Sequence, residues 1–150
     1  MLGYYAHLIT DAEFQTMIRE DDRVRAAWMR IQEVPELYEV SAGLEKTWDS
    51  IKKLIPKRER MRGIYAIEAD YLHSHPDSGY LTEILPLKSF PDYIDYLPQG
   101  AIARKIRVMG YTPERDEGAS CLAISREEYA GFVKNTVQLV VKRFKDKDLL

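Results

Sequence analysis

A chain of 150 residues, 45% apolar and 31% charged, can bury a contiguous core without disulfides or a structural metal, which excludes the disordered and cysteine-stapled classes. A formal net charge of −2 gives no global attraction to phosphate, so nucleic acid is not expected as a partner unless a local basic patch supplies the charge. The opening MLGYYAHLIT lacks a cationic leader, and no run approaches the roughly 18 apolar residues of a membrane span. One globular domain over residues 1–150 is therefore expected, in the cytoplasm and away from the membrane.

In chain order, GYYAHLI (3–9) is short and rich in aromatic and apolar residues, a pattern that predicts a half-buried strand. Thr10 and Glu13 have the spacing of a capping box that would open a helix over EFQTMI. A second helix is predicted from Asp21 or Asp22 through Gln32, with Val24, Ala27, Trp28 and Ile31 on one stripe and Pro35 as its stop signal. Leu44, Trp48, Ile51 and Ile55 recur at helical spacing before Pro56, and Trp48 is expected to anchor the core. The run KKLIPKRERMR carries Lys52, Lys53, Lys57, Arg58, Arg60 and Arg62 against Glu59; it reads as a cationic helix end followed by a solvated loop.

GIYAIEA (63–69) alternates as a strand does, and Asp70 to Gly79 crowds turn formers together. SFPDYIDYL predicts a short helix capped by Ser89, and AIARKIRVM fits strand and helix equally. After the loop TPERDEG, SCLAI predicts a strand in which the lone Cys121 is an inert, small apolar residue. Ser125 and Glu128 then form a capping box at the head of a long helix. Tyr129, Phe132, Val133, Thr136, Val137, Val140, Val141 and Phe144 make its broad apolar face, expected to be a main wall of the core, and Lys142, Arg143 and Lys145 complement its C-terminal dipole. The order of elements predicts an α+β fold, a small mixed sheet with helices packed on it.

Two of the three histidines lie in YLHSHPDSGY. In an extended segment His73 and His75 would point to the same side and could share an ion, the basis for a metal-dependent hydrolase as the alternative function. The quartet resembles the JAMM metalloprotease signature, in which a Ser and then a ligand Asp follow; those positions fall here on Glu83 and on Pro86, which has no donor atom. A turn with two partly exposed histidines is the preferred reading. Neither a Gly-rich phosphate loop nor a Gly-x-Ser-x-Gly elbow occurs, so no cofactor, metal or catalytic set is expected.

MLGYYAHL and GLEKTWDSIKKLI resemble the opening strand and the signature helix of the YfbM-like family of bacterial proteins, the second through Leu44, Glu45, Lys46 and Trp48. The likeness covers about the first third of the chain, and the basic loop replaces the family's glycine-bearing segment. The resemblance implies a compact α+β domain without established catalytic residues. It also suggests, by analogy, an immunity partner of a secreted toxin. The middle segment fits a binding role: Tyr80, Phe90, Tyr93 and Tyr96 supply rigid contact area, and Asp92 and Asp95 complement a basic surface. The function expected from the sequence is therefore non-catalytic protein binding, with a toxin as the partner.

Overall fold

The computed structural model describes residues 2–92 and 96–149. Its elements are helices α1 (Leu2–Met17), α2 (Asp21–Gln32), α3 (Pro35–Ser41), α4 (Trp48–Leu54), α5 (Lys57–Ser74), a π-helical turn (Tyr80–Ile84), α6 (Ala101–Met109) and α7 (Arg126–Lys145). No strand occurs among the described residues, which overturns the expected α+β fold and its mixed sheet. The chain divides into two compact units, one of residues 1–64 with 119–150 and one of residues 65–118.

Each predicted strand fails for its own physical reason. Residues 3–9 belong to α1, because half-buried Tyr5, Ala6, Ile9, Thr10, Glu13, Phe14 and Met17 recur at helical spacing with no Gly or Pro between them. Thr10 does not cap a helix; its hydroxyl donates to the Ala6 carbonyl at 2.9 Å, one turn back within α1. GIYAIEA lies inside α5, where the basic stretch read as a loop is also helical. SCLAI stays irregular, yet Ala123 and Ile124 are buried. Its carbonyls need no sheet: Ala123 accepts from Arg23 Nη1 at 2.7 Å and Leu122 from Arg30 Nε at 3.0 Å. Two arginines do for this segment what a neighbouring strand would have done.

The first unit holds a core of Ile18, Val24, Ala27, Trp28, Ile31, Trp48, Ile51, Ile55, Ile64, Ala123 and Ile124. The stripe read from α2 faces inward, and Ala27, Trp28 and Ile31 are almost wholly buried. Pro35 both follows α2 and opens α3 at a first-turn position, where its missing N–H costs nothing. Thr47 caps α4 by accepting from Ser50 N at 3.2 Å. At the other end of α4, Arg60 donates to the carbonyls of Ile55 and, at 3.2 Å, Lys52, and its guanidinium lies 5.7 Å from the Trp48 ring. Lys52 pairs with Asp49 and Arg62 with Glu59, so three cations of the basic run have local partners.

In the second unit, Tyr80 Oη donates to the Tyr111 carbonyl at 2.6 Å and accepts from Tyr111 N at 3.2 Å. Arg115 bonds Asp70 at 2.9 Å, tying a loop to α5. No helix among the described residues is long and apolar enough to cross a membrane.

Two glycines make opposite predictions. A Cβ on Gly63 would stand 2.5 Å from the Ser120 carbonyl oxygen, whereas one on Gly131 in α7 would meet nothing within 4 Å. Gly63→Ala is expected to lower the unfolding free energy by about 1–3 kcal/mol through overpacking, and Gly131→Ala to raise it by up to about 1 kcal/mol through helix propensity. Urea denaturation of both variants checks the pair of signs.

Candidate functional site

The site begins with a charge buried in the first unit. Arg23 is 6% exposed although it carries a guanidinium. Besides Ala123, it bonds the Ile18 carbonyl at 3.0 Å and reaches Glu128 Oε2 at 3.5 Å, and its guanidinium lies 4.9 Å from the Trp48 ring. Burial pushes the Arg23 pKa down, and the Glu128 carboxylate pushes back. Arg30 Nη2 donates to both Glu128 oxygens at 3.0 Å. The capping box completes the cluster: Ser125 N donates to Glu128 Oε2 at 2.8 Å, and Glu128 N to Ser125 Oγ at 3.2 Å. One carboxylate thus caps α7 and pairs with two arginines of α2.

Beside this cluster opens a cleft of ≈ 320 Å³. Its walls are Glu13, Thr16 and Met17 of α1, Glu20 at the α1–α2 corner, Arg23, and Glu127, Glu128, Gly131, Phe132, Asn135 and Thr136 of α7. Phe132 packs edge-on against Phe14 at 5.4 Å between ring centroids, fixing one wall. The volume lies at the lower end of ligand pockets, a size for one long side chain. Four carboxylates line it against one guanidinium. Glu128 is already engaged by the arginines, which leaves Glu13, Glu20 and Glu127 to set the sign of the field. Hydrogen bonds from its own backbone amide and from the Ser125 hydroxyl, the latter at 2.9 Å, hold the Glu127 carboxyl below its ordinary pKa and so ionised at neutral pH. The lining offers acceptors to a cation, and its described residues include no histidine, cysteine or lysine to serve as base or nucleophile.

The residues singled out from the sequence lie in the second unit and divide by role. Tyr80 is engaged with the Tyr111 backbone. Asp92 caps α6, accepting from Gly100 N and, at 3.2 Å, from Ile102 N. Phe90 and Tyr96 are exposed, Tyr96 at 73%. Tyr93 and Asp95 lie outside the described residues, and the helix predicted over 89–97 has no helical residue among those described. His73 lies in the last turn of α5, and His75 continues that ladder, its backbone N–H bonding the Tyr71 carbonyl at 2.9 Å. His73 is helical and His75 follows directly on the helix end, so the pair does not sit on the extended backbone that would turn both rings to one side. The His75 ring also stacks on Tyr71 at 4.1 Å, and no group of three or more metal-ligating side chains forms among the described residues.

No protein-family model, curated protein or solved structure matches this chain. The cleft was not legible in sequence. The capping box announced Glu128 as a helix cap, and nothing in DDRVRAAWMR shows that Arg23 and Arg30 would meet it.

Removing Glu128 leaves a buried arginine without its counter-ion. Glu128→Gln is expected to cost on the order of 3 kcal/mol of unfolding free energy, measured by urea titration; a loss under about 1 kcal/mol would mean that the buried charge does not depend on it. A second expectation concerns alkaline pH. The hydrogen bond with Tyr65, then burial, pushes the Tyr111 phenol up to about 12. Because the folded state favours the neutral phenol, its contribution to stability is complete below the unfolded pKa of about 10 and is lost as pH rises through the folded value. NMR titration of the Tyr111 ring should show the high value in the wild type and a return toward 10 in Tyr65→Phe.

Proposed function

We propose that this chain is a non-catalytic protein-binding domain whose cleft between α1, α2 and α7 receives a cationic side chain of a partner. The observation that carries this reading is the cleft itself, a concavity with an apolar wall at Met17 and Phe132 and the carboxylates of Glu13, Glu20 and Glu127 about it. A lysine or arginine entering it would bury its methylene stem against the apolar wall while its charge meets the carboxylates. Carboxylates set in place before encounter favour fast association and disfavour acidic competitors. Phe90 and Tyr96 add exposed aromatic surface on the second unit, suited to a separate contact.

The setting that this reading fits is an immunity protein in the cytoplasm that occludes a basic toxin surface. The YfbM-like resemblance suggests that setting by analogy, and the acidic cleft supports it on electrostatic grounds. The test is direct. The product of the neighbouring reading frame, co-expressed with this chain, should co-purify in stoichiometric amount, and Glu13→Lys with Glu20→Lys should weaken binding at least about 100-fold in isothermal titration. Full affinity in the doubly reversed variant would remove the cleft from the interface.

A further inference from the structure

The helix expected to be a main wall of the core is only half covered. On α7, Thr136 and Phe144 are buried, while Val133, Val137 and Val141 remain 43%, 56% and 40% exposed. At about 3.6 residues per turn these valines drift slowly around the helix, and with the exposed Ala130 they form one stripe beside the buried face. Stiff β-branched side chains in a row give a regular surface with little rotamer entropy to lose on docking.

We propose that this stripe pairs with the same stripe of a second copy of the chain, the two α7 helices running antiparallel. Charge selects both occupant and direction. The first turn of α7 carries Glu127 and Glu128, and its last turn carries Lys142, Arg143 and Lys145. A parallel pair would set like charges side by side, whereas an antiparallel pair sets each acidic end against the partner's basic end and opposes the helix dipoles. Glu127 and Lys145 lie five full turns apart, hence at the same position around the helix, on one flank of the stripe. A two-fold axis near Val137 keeps that flank on the same side in both copies, so Glu127 faces Lys145 of the second copy, twice per dimer. Lys145 and Glu127 are both exposed. The stripe of one helix falls below the roughly 800 Å² per partner of a durable interface, so the dimer forms reversibly with concentration. Glu127 also lines the cleft, so pairing and cation uptake draw on one carboxylate.

Sedimentation velocity of the full chain from about 5 to 200 µM tests this, with the wild type passing from monomer to dimer across that range. Val137→Glu, a change at an exposed position that leaves the core intact, should stay monomeric throughout. Glu127→Lys should weaken the dimer at least about tenfold, and Glu127→Lys combined with Lys145→Glu should bring it back to within about threefold of wild type. A wild type monomeric over the whole range, a Val137→Glu variant that still dimerises, or a double reversal no better than the single one would each overturn the proposal. Far-UV circular dichroism of every variant confirms that the helices persist.

Discussion

The ion cluster of Arg23, Glu128 and Arg30 is the constraint on which the first unit depends. Taking a guanidinium out of water costs several kcal/mol, and partners offset that cost; Nη1 and Nη2 of Arg23 are hydrogen-bonded, whereas its Nε is buried without a hydrogen-bond partner among the described residues. Here the partners come from places far apart in the chain: the Ile18 carbonyl at the end of α1, the Trp48 ring at the start of α4, the Ala123 carbonyl in the irregular segment, and Glu128 in α7. A shift in any one of them leaves a buried charge exposed to the low dielectric of the core. The cluster therefore specifies one arrangement of these elements more sharply than the apolar contacts around it, which tolerate modest repacking.

The same cluster accounts for the character of the cleft. Because Glu128 is shared by two arginines, the local field is left to Glu13, Glu20 and Glu127, and Ser125 holds Glu127 ionised while capping the helix. Stability and surface chemistry thus meet in a few residues at the head of α7. Of the apolar lining, Phe132 packs edge-on against Phe14 and so joins α7 to α1, and Met17 packs against the core. An arrangement of acceptors on helices suits recognition of a cation.

The second unit is braced by polar side chains that bond its own backbone and one another. Tyr80 braces Tyr111, Asp92 caps α6, and Arg115 holds Asp70. These bonds explain why an aromatic and acidic segment that reads as a binding surface is in part internal scaffolding. Gly100, at a φ of +75°, supplies the left-handed residue before α6, and its N–H turns to the Asp92 carboxylate. Phe90 and Tyr96 are exposed aromatic residues of this unit.

The sequence by itself determined the elements whose signals are local. The stripe of Val24, Ala27, Trp28 and Ile31 marked α2 and its buried face, and Ser125 with Glu128 marked the start of α7, because periodicity and capping act within a few residues. Residues 3–9 and 63–69 misled for the same reason in reverse: over a window of seven residues aromatic alternation imitates a strand, and only the continuation to Met17 or back to Lys57 shows the helical face. SCLAI could not be read at all, since its buried carbonyls are satisfied by Arg23 and Arg30, about ninety to a hundred residues away in the chain. The tertiary structure alone decided which charges meet, which side of the α7 apolar face stays open to solvent, and that the HSHP stretch begins on a helical rather than an extended backbone. Each of these depends on distances between elements or on a helical rather than extended backbone, and neither is encoded in the spacing of residues along the chain.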